Sequence, residues 1–307
     1  MHDSILETVG SPLVRLSSPP GSTVAAKVES FNPGGAVKVR PAREMIAAAE
    51  RDGAIDPGDQ LVEATSGNTG IGLALVAAAK GYDLTIVMPD TVTPERRSLI
   101  AGYGATVELL DGGMERANER AATIATEDGA YQISQFDNPA NPLSHERTTA
   151  PEILDQIDGR TIDAFVATVG TGGTISGTAR GLLEAFPDML VVGVEPATSP
   201  WLSTGTPGEH EFQGMGPDFV PDTLDRDLID AVESVALPPA EDECRRLAAE
   251  EGILAGQSSG AASIAARRVA ERHADPTANG QDVDENFLVV TLLPDTGERY
   301  LSTGLYG

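Results

Sequence analysis

Short apolar runs alternate with amphipathic stretches along the whole chain, and this limits it to one broad class of fold. The runs at 60–64, 84–88, 106–110, 131–134, 164–169, 190–194 and 287–292 are too short for helices. They are rich in Val, Ile and Leu, which predicts strands. Between them a helical period predicts helices over 37–51, 70–80, 94–101, 114–128, 145–157, 175–186, 239–251 and 260–273. A helix between two strands returns the chain in the same direction. The pattern therefore predicts an α/β fold with parallel sheets. No internal repeat or low-complexity segment interrupts it. The cluster Asp137-Asn138-Pro139-Ala140-Asn141-Pro142 is the clearest mid-chain break and is expected to separate two α/β units. Residues 275–285 are expected to form a polar surface loop.

With 307 residues and 40% hydrophobic content, the chain can bury one large or two modest cores. It has no run of 18 apolar residues, and Met1-His2-Asp3-Ser4 lacks the character of a signal peptide, so a soluble, cytoplasmic protein is expected. The single cysteine, Cys244, excludes internal disulfides and thiolate metal clusters, and its charged helical setting predicts an inert packed thiol. No metal site is expected. The 21 basic residues against 47 acidic ones give a net charge of −26, which argues against nucleic-acid or anionic-membrane partners. The acidic residues are spread along the chain rather than gathered into a tail. Two readings remain, an ordinary acidic enzyme and adaptation to a high-salt cytoplasm, where screening makes such charge tolerable; the scarcity of lysine favours the second.

Lysine scarcity also narrows the chemistry. Only Lys27, Lys38 and Lys80 are present. Lys27 lies in an apparent strand over 23–28, and Lys80 closes a helix before Gly81. Lys38 instead follows Asn32-Pro33-Gly34-Gly35-Ala36-Val37, where an amphipathic run marked by Met45, Ile46 and Ala49 begins. A glycine turn running into a helix fixes a side chain's direction, and a desolvated lysine can attack carbonyls. A solvated surface charge is the plainer reading of such a lysine taken alone.

Three loops fall between a strand and a helix, where open α/β sheets bind ligands. Thr65-Ser66-Gly67-Asn68-Thr69-Gly70 offers hydroxyls and backbone N–H groups suited to a carboxylate, although helix capping would use one such residue. Gly170-Thr171-Gly172-Gly173-Thr174 fits a single phosphate at a helix start. It lacks the Lys-Ser/Thr of a nucleotide loop and the third glycine of the dinucleotide fingerprint. Gly256-Gln257-Ser258-Ser259-Gly260 matches the nucleophile elbow of serine hydrolases. Its only downstream histidine, His273, lies fifteen residues on in the same predicted helix, about 22 Å away at 1.5 Å per residue. That histidine cannot serve Ser258. One lysine, one monophosphate cup and hydroxyl-rich helix starts suggest pyridoxal 5'-phosphate, which has one aldehyde, one phosphate and one ring nitrogen.

With these motifs in view the chain resembles the cysteine synthase (O-acetylserine sulfhydrylase) family of fold-type II pyridoxal-phosphate enzymes. The likeness runs from Val9-Gly10-Ser11-Pro12-Leu13 to Gly297-Glu298-Arg299-Tyr300-Leu301, nearly the whole chain, through the segments at 32–38, 63–72, 135–142, 148–154, 170–174, 213–216 and 252–262. The resemblance implies two three-layer α/β/α domains with the cofactor in the cleft between them. The smaller, mobile substrate-binding domain would span 35–140, and the larger one 1–34 plus 141–307. It implies Lys38 as the Schiff-base lysine and the base for the substrate Cα proton, and Asn68 on the ring hydroxyl. Thr65, Ser66, Gly67 and Thr69, with Gln135, would hold the amino-acid carboxylate. Gly170, Thr171, Gly172, Gly173 and Thr174 would hold the phosphate, and Ser258 would meet the ring nitrogen. The implied reaction is ping-pong β-replacement: O-acetyl-L-serine and sulfide give L-cysteine and acetate. A homodimer acting on small amino acids is implied as well.

Two departures from the family pattern stand out. Val39 and Pro41 follow the lysine, and a first-turn proline leaves a helix intact. Many relatives read Gly-Ala-Gly-Phe where this chain has Gly216-Pro217-Asp218-Phe219, beside the substrate mouth. A rigid, acidic mouth makes the leaving group less certain than the chemistry and disfavours an anionic phosphoserine. Cystathionine β-synthase and serine or threonine dehydratase are the alternatives within this fold. A catalytically dead binding protein is disfavoured by the intact lysine and loops.

Overall fold

The computed structural model describes residues 1–274 and 286–307. The expected surface loop over 275–285 lies outside the described residues. Two sheets organise the chain. Strands β3 (Gln60–Ala64), β4 (Asp83–Pro89), β5 (Thr106–Leu110) and β6 (Tyr131–Gln132) form a four-stranded sheet in the order β5-β4-β3-β6, parallel throughout. Strands β1 (Leu13–Leu16), β2 (Ser22–Val28), β7 (Ala164–Thr168), β8 (Leu190–Pro196), β9 (Ala231–Val235) and β10 (Phe287–Leu293) form a six-stranded sheet in the order β1-β2-β10-β7-β8-β9. Only the β1–β2 pair is antiparallel.

The expected parallel α/β architecture is therefore observed, with two strands added at the edges. Strand β1 is only four residues long behind Pro12, and β9 is half-buried and carries Glu233 and Ser234, so neither gives a long apolar run. The inner strand β2 is buried at every position, as a strand with neighbours on both sides and cover on both faces should be.

Helices α1 (Val39–Arg51), α2 (Asn68–Lys80), α3 (Pro94–Gly102), α4 (Met114–Glu127), α5 (Ala140–Ser144), α6 (Ala150–Gln156), α7 (Gly173–Ala185), α8 (Trp201–Thr204), α9 (Leu237–Glu251) and α10 (Gln257–His273) cover the sheets. Helix α1 turns Met45, Ile46 and Ala49 inward, into a core shared with Leu61, Ile71 and Ile86. A second core joins Val166, Val192 and Val289 to α10 through Ala261, Ala265 and Val269. Most of the buried residues of α10 are alanine or serine, which lets the helix lie close to the sheet.

The mid-chain break differs from its expected form. A helix already begins inside it, at Ala140, and the single helix expected over 145–157 is interrupted. Residues His145–Thr149 form a π-turn ahead of α6. Pro151 sits in the first turn of α6, has no N–H to donate and breaks the regular ladder there. Between β6 and β7 the chain passes from the smaller sheet to the larger one.

Candidate active site

Strands β3, β7 and β10 end at a common cleft of about 500 Å³, and the loops leaving their carboxyl ends line it. Its lining takes in Lys38, Thr65 through Thr69, Gln135, Gly170, Thr171, Thr174 and Ser258. Segments far apart in sequence thus meet in one place. Gly172 and Gly173 stand behind the cup rather than on its surface.

Lys38 is the residue before α1, reached through Gly34 at φ +78° and Gly35 at φ +66°, a left-handed stretch that side chains resist. Helix α2 packs directly behind it. A Cβ at Gly72 would stand 2.7 Å from the Lys38 carbonyl oxygen, so this approach requires glycine. The lysine keeps some surface toward the cleft, but protein encloses its ammonium. Burial pushes its pKa down to about 8, against an opposing pull from the Asp295 carboxylate. The other two lysines are tied up. Lys27 is fully buried against Glu152 at 2.7 Å and Gln156 at 2.9 Å, and Lys80 pairs with Glu50 at 2.6 Å. Among the described residues Lys38 alone of the three has no carboxylate at ion-pairing distance.

Helices α2, α7 and α10 all begin at this cleft, and the residues before their first turns are Gly67, Gly172 and Gly256. Glycine has no side chain with which to cap a helix, and ahead of α2 the Thr65 hydroxyl accepts the N–H of Gly67, at 3.3 Å. The helix starts keep backbone N–H groups and positive dipole ends for an anion. Thr65, Thr69 and Gln135 are nearly fully buried, and Thr69 donates to the Gln135 side-chain oxygen at 2.5 Å. Ser66 is exposed to the cleft mouth.

In the phosphate-sized cup each glycine has its own packing reason. A Cβ at Gly170 would stand 2.6 Å from the Gly214 carbonyl oxygen, one at Gly172 2.5 Å from Leu224, and one at Gly173 2.1 Å from Asn141 Oδ1. The glycine pattern alone suggests anion binding for all three. Tight packing from three directions accounts for them as well, and it fixes the shape of the cup. Ser258, in the first turn of α10, is buried and lines the cleft. His273 closes the same helix and is remote from it, in agreement with the case against a hydrolase.

Sequence reasoning missed a second layer of residues. Asn141 Nδ2 donates to the Gln135 carbonyl at 2.8 Å and to Thr171 Oγ1 at 3.1 Å, joining Gln135 to the cup. His145 is fully buried, with one ring nitrogen 3.2 Å from Thr174 Oγ1 and the other 2.9 Å from Thr149 Oγ1. Burial and the nearby cations of Arg40 and Lys38 hold its pKa well below the usual histidine range, so it stands there neutral. Asp295, after β10, accepts from Asn68 Nδ2 at 2.7 Å and from the Tyr300 hydroxyl at 2.9 Å. Only local turn chemistry could have flagged these residues, because their partners lie far along the chain.

The donor set suits pyridoxal phosphate: one enclosed amine near neutrality, a small cup at a helix start, and a neutral hydroxyl at a second helix start. Comparison with known proteins agrees. Residues 6–283 match the family described as pyridoxal-phosphate dependent enzyme. A cysteine synthase of Staphylococcus aureus is 47% identical over 99% of this chain and 97% of its own length. An O-ureido-L-serine synthase of Streptomyces lavendulae is 46% identical over 100% of this chain and 93% of its own. Among solved structures, an O-ureido-L-serine synthase superposes with a TM-score of 0.93 at 46% identity, covering 100% of this chain and 95% of that one. An O-acetylserine dependent cystathionine β-synthase from Helicobacter pylori superposes with a TM-score of 0.91 at 34% identity, covering 100% and 99%. The chain has the fold-type II architecture of these enzymes, and its cofactor is pyridoxal phosphate. It belongs to the cysteine synthase family of pyridoxal-phosphate dependent enzymes.

Proposed function

We propose that this enzyme makes L-cysteine from O-acetyl-L-serine and sulfide, releasing acetate. The observation that carries this reading is Lys38. An enclosed amine with a pKa near 8 shares its cleft with an anion-binding loop and a phosphate-sized cup. In this reading Lys38 holds the cofactor, takes the substrate Cα proton and later returns it. Thr65, Ser66, Gly67 and Thr69 hold the amino-acid carboxylate with Gln135, and residues 170–174 hold the cofactor phosphate. The cofactor, when bound, supplies the electron sink that makes loss of the Cα proton accessible. The Cβ–O bond to acetate then breaks, and a Cβ–S bond to hydrosulfide forms.

We assign Ser258 to the ring nitrogen. A neutral hydroxyl does not force protonation there as a carboxylate would, which keeps the sink weak. A weak sink favours loss of a β-leaving group over transamination or racemisation. We assign residues 35–140 to a smaller, mobile substrate domain, with the remainder holding the cofactor.

A second reading has a specific motive. Gly216, Pro217, Asp218 and Phe219 line the mouth of the cleft, and the exposed Asp218 places a carboxylate where an incoming nucleophile passes. A cationic or amino-bearing thiol such as homocysteine would be favoured there over a bare anion, giving a cystathionine β-synthase activity. The deciding experiment incubates the yellow holoenzyme in high KCl with O-acetyl-L-serine, L-serine or O-phospho-L-serine, each with sulfide or homocysteine. Fastest formation of cysteine from O-acetyl-L-serine and sulfide is expected. Faster condensation with homocysteine would establish the second reading instead.

A further inference from the structure

The Asn68 amide lies between two buried charges. Its Nδ2 donates to Asp295 Oδ2 at 2.7 Å, and its Oδ1 accepts from the Arg299 guanidinium. Asp295 and Arg299 are both almost completely buried. Each is anchored independently of Asn68: Asp295 by the Tyr300 hydroxyl at 2.9 Å, and Arg299 by the carbonyl of Gly34. The segment carrying Asp295 also pairs with the chain leading to Lys38, since Val37 N donates to the Pro294 carbonyl at 2.8 Å and Thr296 N to that of Gly35 at 3.2 Å.

An asparagine amide is nearly symmetric in shape and opposite in polarity at its two ends. Turned end for end, Asn68 would set its oxygen against a carboxylate and its NH2 against a guanidinium. Both contacts would be repulsive, against charged side chains that are themselves almost completely buried and so weakly screened. The two charges therefore permit one orientation. In it the carbonyl oxygen is occupied by Arg299, one Nδ2 hydrogen is occupied by Asp295, and the second Nδ2 hydrogen remains.

We propose that Asp295 and Arg299 are positioning residues that fix the Asn68 amide so that it offers the cleft a hydrogen-bond donor and never an acceptor. The matching ligand atom is an acceptor oxygen, which the ring hydroxyl of pyridoxal phosphate supplies in its ionised form. This inference rests on the assignment of Asn68 to the cofactor, and it is independent of which amino acid is the substrate.

The test compares holoenzymes of wild type, Asn68→Ala, Asp295→Asn and the double variant. It records the resting visible spectrum against pH and the rate of cofactor loss into a scavenger of free pyridoxal phosphate. A hydrogen bond to a charged group is worth enough that Asn68→Ala should speed cofactor loss about tenfold or more. Asp295→Asn should speed it in the wild-type background and add less than about twofold once Asn68 is gone, the signature of action through one residue. Should Asp295→Asn fold poorly, Tyr300→Phe loosens the same carboxylate while keeping the buried ring. It should give a smaller effect that likewise vanishes in the Asn68→Ala background. A full additive effect of Asp295→Asn in the double variant would overturn the inference, because the carboxylate would then act on Lys38 directly. No change of rate or spectrum in Asn68→Ala would remove the Asn68 assignment itself, and the inference with it.

Discussion

The carboxylate of Glu63 accepts the backbone N–H of Gln135 at 3.2 Å and that of its neighbour Ser134 at 2.8 Å, so the end of strand β3 supports a loop about seventy residues farther along the chain. Ser134 stands at φ +57°, an unfavourable backbone for a residue with a side chain, and the buried carboxylate holds it there. Gln135 then accepts from the Thr69 hydroxyl in the cleft lining.

That support has a pH signature. Burial, with Asp137 nearby, pushes the Glu63 pKa from 4.5 up to about 7, against the opposing pull of the two backbone N–H groups. Between those values the folded chain keeps a proton that the unfolded chain has released. This group therefore takes stability away as pH rises from about 4.5 to about 7, and no more above that. Glu63→Gln removes the titration. Its thermal midpoint relative to wild type is expected to climb across this window and then flatten. A difference that stays constant with pH would mean that Glu63 does not titrate there.

Lys38 makes a kinetic prediction. A lysine captures an aldehyde only as the neutral amine, and this one reaches half neutrality near pH 8. Capture of pyridoxal phosphate by the cofactor-free protein should speed up about tenfold per pH unit below that value and level off above it. An ordinary lysine would keep accelerating to about pH 10. Lys38→Ala should lower turnover by about a thousandfold or more while leaving the circular-dichroism spectrum unchanged. Sustained multiple turnover by that variant would refute its role as the proton-transfer base.

Cys244 should be silent. It is fully buried between α9 and the start of α10, donates to the Gly256 carbonyl at 3.1 Å, and burial pushes its thiol up to about 12. Thiol reagents are expected to leave the native enzyme unmodified for hours and to titrate one thiol after denaturation. Rapid native labelling with loss of activity would contradict this packing.

The acidic surface should make the protein salt-dependent. A charge of −26 repels itself across the surface, and raising ionic strength from about 0.1 M to 1 M shortens the screening length from roughly 10 Å to 3 Å. The thermal midpoint should rise by several degrees or more as KCl approaches molar concentration, with activity following. A midpoint that falls with KCl would end the high-salt reading.

Much of the architecture could be read along the chain, because local periodicity and turn chemistry are themselves sequential. Strands β3 and β5 run over the expected residues, and α1 buries the Met45, Ile46 and Ala49 stripe that predicted it. The edges were harder to read. Strands β1 and β9 gain their strand character from pairing with β2 and β8 rather than from their own residues. The helix at Ala140 was hidden because two prolines and two asparagines signal a turn, although a helix start tolerates them equally well.

By itself the sequence determined the α/β class, the three glycine-rich loops and the one lysine suited to chemistry, since only three lysines exist and one follows a glycine turn. Only the tertiary structure decided which distant groups stand behind those loops. Glu63 reaches Gln135, Asn141 joins Gln135 to Thr171, His145 backs Thr174, and Asp295 with Arg299 orients Asn68. Each of these bonds is made across the cleft or beneath it, between residues that the sheets bring together. Burial is what gives them their strength and shifts their proton affinities, and burial is a property of the packed chain.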